Sequence, residues 1–271
     1  MKPVLQKTAA FYKPSGHLDP TGYERHVHFQ TYLPPENLQP FICHFWIVSW
    51  EGIDKQPYVS EQVMHRPYVD IYLSLEESGI QCTFRDKRDY RAADSGRIIG
   101  ARLLPGAFRA FWKDSLIGMH NETIELQRVF PEADQHFIEA ALSQQDDAAV
   151  GILCELIQAN LPVFDPHIET VNRIIEAIEA EDLSTVKNVA ERFGKSERWL
   201  QQLFHDYVGV GIKWQLQRKK LLEAAKSIRE NDNPSWADLA YEHGYSSQQH
   251  FITDFKRVLG KTPLQYKKEL T

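Results

Sequence analysis

The chain has 271 residues, 42% of them hydrophobic and 25% charged, with a net charge of −6. That is the profile of a globular protein with material for one large or two ordinary domains, and it excludes a disordered, collagen-like or disulfide-stapled chain. Cys43, Cys82 and Cys154 stand far apart with no CxxC pair, no apolar run is long enough for a membrane span, and MKPVLQKTAAFYK lacks a signal-peptide core, so a cytoplasmic protein with no membrane partner is expected.

In chain order, residues 1 to about 115 carry a β texture. Val69, Ile71, Leu73 and Leu75 alternate with polar residues, and Ile80, Cys82 and Phe84 alternate again after Ser78-Gly79, which predicts a hairpin. Residues 25–29 and 41–50 read as further strands. Prolines at 34, 35, 40, 57, 67 and 105 mark loops and edges, and short strands so punctuated favour a small barrel or sandwich. From about 122 to 161 the period becomes helical: Ile138, Ala141 and Leu142 share one face, as do Val150, Leu153, Cys154 and Ile157. Leu161-Pro162-Val163-Phe164-Asp165-Pro166 then interrupts the chain as a linker.

Beyond the linker the pattern is helical throughout. Ile168, Val171, Ile174, Ile175 and Ile178 form one apolar stripe. A helix-turn-helix follows, with Gly194 at the turn, Ser196 as cap and Leu200, Leu203, Phe204 and Tyr207 as the inward face. A long helix from about Ile212 to Arg229 carries Arg218-Lys219-Lys220, a run for which a solvated face is one reading. A second unit spans Trp236 to Tyr266. Its first helix draws on Ala237, Leu239, Ala240 and Tyr241, Gly244 makes the turn, and Ser246 or Ser247 caps a helix that buries Phe251, Phe255 and Val258. Thr262-Pro263-Leu264-Gln265 reads as a capping box. Charge follows the division: residues 1–166 hold 15 Lys/Arg against 22 Asp/Glu, whereas residues 195–271 hold 13 against 9, so the back of the chain is basic relative to the front.

The run G-Y-x-x-Q-x-x-F-x-x-x-F-K-x-x-x-G-x-T-P-x-x-Y, Gly244 to Tyr266, and A-x-x-x-G-x-S-x-x-x-L-x-x-x-F, Ala190 to Phe204, resemble the signature of AraC/XylS-type transcriptional regulators over roughly the last hundred residues. The resemblance implies an α+β protein: a β-rich, barrel-like effector-sensing or dimerisation domain over 1–161 (β-rich 1–115, helical 122–161), a linker at 162–167, and an all-α DNA-binding domain over 168–271 with two helix-turn-helix units joined by a long helix. Its partners would be double-stranded DNA, a small-molecule effector, a second copy of the chain and RNA polymerase. A fixed connecting helix would let one polypeptide read two successive major grooves, about 34 Å apart.

Outward side chains near each reading-helix N-terminus are the base-reading candidates. They are Arg198, Gln201 and Gln202 in the first unit and Gln248, Gln249, His250 and Thr253 in the second. Arginine matches guanine O6/N7 and glutamine matches adenine N6/N7. His250 reads equally as a surface or cap histidine. Lys195, Lys256 and Arg257 suit phosphate, and Trp199, Trp214 and Trp236 read mainly as packing. In the front domain, residues 66–73 and 100–108 resemble the amino-terminal module of a subgroup of these regulators. Effector candidates are Trp46, Tyr58, Arg66, Tyr72, Arg102 and Trp112, aromatics with cations for an anion. His26-x-His28, with His44, His65 or His120, is a weak metal pattern beside the commoner hydrogen-bonded histidine, and no G-x-S-x-G, P-loop or H-E-x-x-H is present. No catalytic residue, metal or cofactor is therefore expected. A front domain that only dimerises or binds a protein partner is the alternative to a sensor.

Overall fold

The structure, a computed structural model, describes residues 7–8, 25–62, 66–231 and 234–269; His65 lies outside them. Among the described residues seven strands, β1 (Lys7–Thr8), β2 (His28–Tyr32), β3 (Ile42–Gln62), β4 (Val69–Leu73), β5 (Gly79–Gln81), β6 (Arg88–Leu103) and β7 (Thr123–Ile124), form one antiparallel sheet. Their order is β1-β2-β3-β6-β4-β5-β7. The β4–β5 hairpin forms as expected, but Leu75 falls in its turn, past the end of β4, and is 67% exposed. The strand expected at 25–29 instead runs from His28 to Tyr32. The β6 strand has no clear sequence signal, because Arg91, Ala93, Asp94 and Ser95 are all exposed and the inside-outside alternation is lost there.

The sheet's two faces differ in chemistry. Phe45, Ile47, Ile71, Leu73, Ile99, Ala101 and Leu103 point to one side and are buried in a large core. The short helix α1 (Phe108–Phe111) and the helices α2 (Gln135–Leu142) and α3 (Asp146–Ala159) cover that core. Arg97 of β6 fastens the corner between α2 and α3. Its guanidinium donates to the Leu142 and Gln144 carbonyls at 3.0 and 2.6 Å, and to Asp146 at 2.6 Å, meeting carbonyls that the end of a helix leaves without partners. The opposite face carries two cross-strand rows, His44–Arg102–Asp70 and Trp46–Gly100–Tyr72. The Trp46 indole packs directly against Gly100, where a Cβ would fall 2.2 Å from the ring and force it to move.

The remaining chain is helical: α4 (Pro166–Ala180), α5 (Val186–Phe193), α6 (Glu197–Val208), α7 (Ile212–Glu230), α8 (Trp236–Glu242), α9 (Gln248–Leu259) and α10 (Pro263–Lys268). Two separate apolar cores lie side by side here. One joins α4, α5 and α6 to the first half of α7 as far as Leu216, and the other joins the rest of α7, from Leu221, to α8, α9 and α10. Between them α7 turns polar. Arg218, for whose run a solvated face is one reading from the sequence, is 3% exposed, with its guanidinium 5.3 Å from the Trp214 ring centre. Burial pushes it down to about 9 against the opposing pull of Glu179 and Tyr68. Lys219 donates to the Glu181 carbonyl at 2.9 Å. Tyr241, counted from the sequence among the apolar positions of its helix, is 84% exposed.

Phe255 is fully buried between Phe251 and Tyr266, with ring centres 5.5 and 5.7 Å away. Phe255→Ala is expected to destabilise the second unit by about 3–5 kcal/mol, read by urea unfolding; a chain that unfolds at the parent concentration would place Phe255 outside the core. A second expectation concerns His44, 2% exposed, whose imidazole is pushed down to about 3 by burial and by the Arg102 charge. The native state stays neutral while the unfolded chain takes up a proton, so this contribution to stability is full above about pH 6.5 and lost as pH falls towards 3. Between pH 7 and 5, His44→Gln should lose less stability than the parent, by on the order of 1–2 kcal/mol. Equal losses would contradict the burial argument.

Candidate nucleic-acid interface

Each helix-turn-helix is built by local rules. The Thr185 hydroxyl accepts from the Asn188 amide at 3.1 Å and starts α5, and Gly194, at φ 60°, ends it in the left-handed region. Ser196 accepts from the Trp199 amide at 3.1 Å and starts α6. In the second unit Ser235 starts α8, Gly244 turns at φ 70°, and Ser247 accepts from the His250 amide at 3.2 Å to start α9. Thr262 and Gln265 complete the expected capping box on α10. Both reading helices have twelve residues and end on a left-handed glycine, Gly209 or Gly260. The turns differ: the capping serine stands two residues after the glycine in the first unit and three after it in the second.

Most of the base-reading candidates lie on the exposed side. Arg198 is exposed, and among the described residues nothing holds its guanidinium. Gln202 is exposed and donates to Asp206 at 2.8 Å, while Gln201 is half-buried. Gln248, Gln249, His250 and Thr253 are all exposed, and the Thr253 hydroxyl donates to the Gln249 carbonyl at 2.9 Å. The Lys195 ammonium stands 5.0 Å over the Trp199 ring, and Lys256 and Arg257 are exposed on α9. The two faces therefore present amide, hydroxyl and cationic donors, the groups that match phosphates and base edges. Asp254, on the same helix and not singled out from the sequence, is buried at 7% exposure.

The effector candidates do not form one group. Trp46, Tyr72 and Arg102 share the sheet face away from the helices, where Arg102 makes two bonds to Asp70, at 2.8 and 2.7 Å. Burial opposes the Arg102 charge, but the Asp70 carboxylate outweighs it and holds the guanidinium above its ordinary value. Tyr58 stacks on His26 at 4.4 Å between ring centres. Trp112 faces the other way, buried in the main core against Phe108, with Arg128 over its ring. Arg66 is engaged with the helical domain: its guanidinium bonds the Glu179 carboxylate of α4 at 2.9 and 2.5 Å.

That ion pair belongs to a larger contact between the sheet domain and the first unit. The Asn172 amide donates to the Pro105 carbonyl at 2.9 Å, and beside it the Tyr207 hydroxyl of α6 donates to Asp165, the linker residue that caps α4. Gly209, at φ 77°, lies so close to the sheet domain that a Cβ would meet the Leu116 carbonyl oxygen at 2.6 Å. A crevice lined by Pro67, Val69, Phe108, Met119, Tyr207 and Val208 runs along this seam. The second unit is touched through Lys87, whose methylenes lie against Gly260.

Two helix-turn-helix units on one shared helix define a DNA-binding regulator. Comparison with known proteins agrees. The helix-turn-helix domain family matches residues 189–269, and a family described as a domain of unknown function (DUF6597) matches residues 30–125. The probable transcription factor PqrA of Proteus vulgaris is 32% identical over 105 residues, 37% of this chain and 85% of that protein. The regulatory protein SoxS of Escherichia coli (strain K12) is 33% identical over 82 residues, 30% of this chain and 76% of its own. The solved structure of ToxT from Vibrio cholerae covers 84% of this chain and 99% of its own, at 9% identity and a TM-score of 0.37, a likeness too slight to carry over ligand or mechanism. The chain belongs to the AraC/XylS-type transcriptional regulators. Among the described residues no helix is long and apolar enough to cross a membrane.

Arg198→Ala is expected to cost about 1–3 kcal/mol at one base position and to relax specificity there, whereas Lys195→Ala should weaken all sequences alike and lower the salt slope by about one. Binding titrations against single-base variants of the preferred duplex distinguish the two. A uniform loss for Arg198→Ala would make it a phosphate contact.

Proposed function

We propose that this regulator's DNA binding responds to a small-molecule effector held by its sheet domain. In this reading residues 1–161 sense, 162–167 link and 168–271 bind DNA in the cytoplasm. Arg198, Gln202, Gln249 and Thr253 read bases, with Gln201, Gln248 and His250 beside them, and Lys195, Lys256 and Arg257 hold phosphates. A homodimer and a contact with RNA polymerase belong to the same reading. The observation that carries it is the seam: Arg66, Pro105 and Leu116 of the sheet domain grip α4 and the C-terminal end of α6, the first reading helix. A change in the sheet domain therefore reaches a reading helix through direct contacts. Trp46 and Tyr72, which flank Gly100 on the other sheet face, support an aromatic effector there, with Arg102 held beside them by Asp70. A ligand shifts the balance only through different affinities for the docked and released arrangements.

The test uses the full chain and a duplex recovered by selection from a randomised DNA pool. Operator affinity and oligomeric state are measured at fixed salt, with and without a panel of aromatic and carboxylate ligands. At least one ligand is expected to change affinity fivefold or more, on the order of 1 kcal/mol of coupling. If the duplex is bound and no ligand alters either readout, the sheet domain is a dimerisation or partner-binding module instead.

A further inference from the structure

The reading helices α6 and α9 align position by position, 51 residues apart, from Ser196 and Ser247 at their starts to Gly209 and Gly260 at their ends. The buried stripe repeats: Leu200 corresponds to Phe251, Phe204 to Phe255 and Val208 to Leu259, all buried. One position breaks the pattern. Leu203, 5% exposed, corresponds to Asp254, 7% exposed. A leucine packs well at this place in the first unit, so packing alone does not call for an acid in the second. A carboxylate taken out of water must find donors and opposite charge.

Asp254 finds three partners. The Gln217 amide, from α7, donates to its Oδ2. An Arg257 guanidinium nitrogen, three residues on, lies 3.2 Å from its Oδ1. The Nε2 atom of His250, four residues back, lies 3.4 Å from its Oδ2. Both of these neighbours are exposed, with 56% of the His250 and 48% of the Arg257 side chain open to solvent. Gln217 thus fixes the carboxylate from behind, while the carboxylate restrains two donors on the outward surface of α9. Tyr245 closes the near side, with its ring 5.3 Å from His250 and 5.4 Å from Phe251. Among the described residues the first unit shows no counterpart: its Asp206, at the position of Arg257, accepts from Gln202 near the surface.

We propose that Asp254 is a positioning residue for DNA recognition by the second unit, setting where His250 and Arg257 present their donors while touching no DNA itself. The inference rests on α9 being a reading helix with those two residues on its DNA side. An acid exposed at such a surface would repel phosphate. Buried, and matched by an amide and two basic groups, it organises donors instead. Fixing a long side chain before binding removes part of the ordering cost that the complex would otherwise bear.

The experiment selects a preferred duplex from a randomised DNA pool with the full chain. Affinities for that duplex and for a shuffled duplex of equal composition are then measured at one salt concentration. The chains are the parent, Asp254→Asn, the double variant His250→Ala with Arg257→Ala, and the triple variant. Asp254→Asn is expected to lose about tenfold on the selected duplex and clearly less on the shuffled one. The triple variant should bind no more weakly than the double, because Asp254 acts through the two residues already removed. Should the asparagine chain fail to fold, Asp254→Leu, the residue at the matching position of α6, replaces it throughout with the same expectations. Equal loss on both duplexes, or a triple variant weaker than the double by the full Asp254→Asn factor, overturns the proposal. A parent chain that selects no duplex removes the underlying reading instead, so the two failures are distinguishable.

Discussion

The long helix α7 has to complete two cores at once. Its first half, with Ile212, Trp214 and Leu216, closes the core of the first unit, and its second half, with Leu221, Ala224, Ala225 and Ile228, closes that of the second. Short paired helices cannot bury an apolar face alone. Each unit therefore depends on the same element, and α7 is a strut rather than a spacer. Nineteen residues at the α-helical rise span about 28 Å, of the same order as one turn of B-DNA. The polar middle of the strut suits its task. Gln217, Arg218 and Lys219 reach three different surroundings, Asp254 of α9, the Trp214 ring and the backbone after α4. The two cores meet across directional contacts rather than merging into one.

A second dependence runs between the sheet domain and the first unit. Its parts are a forked guanidinium–carboxylate pair, a side-chain amide on a carbonyl, a glycine pressed against a carbonyl, and the apolar packing of Ile168 and Tyr207 on the sheet domain's core. Inter-domain contacts of modest size usually permit relative motion, and both ends of this one lie on elements that the proposed function uses.

Much of the helical half was readable from residue types, because its signals are local. A serine or threonine cap, a left-handed glycine and an apolar residue every third or fourth position act within a few residues of one another. Gly194, Gly244, Ser196, Ser247 and the Thr262–Gln265 box all stand where the sequence put them. The sheet was harder. Its longest pairing joins β3 to β6 across some forty residues, and where β6 leaves the core only Ala92 stays buried between exposed neighbours. The candidate effector residues diverged for a related reason. Type and spacing mark Arg66 and Trp112 as ligand-like, but one is committed to Glu179, 113 residues away, and the other to the core. Asp254 escaped notice because an acid on a helix looks solvated until Gln217, 37 residues away in the chain, is brought against it.

The extra residue in the second turn has a consequence for how the halves could be exchanged. One residue advances an α-helix by about 100° and 1.5 Å. Since α6 and α9 match in length and share the buried pairs Leu200/Phe251, Phe204/Phe255 and Val208/Leu259, side chains grafted by number would keep their faces, with Asp254 alone losing its Gln217 partner in the place of Leu203. The approach from the preceding helix would still differ, because Ser196 follows its glycine by two residues and Ser247 by three. A graft would therefore keep its alphabet of donors and lose its reading frame, and re-targeting either half of this regulator means moving the turn together with the helix.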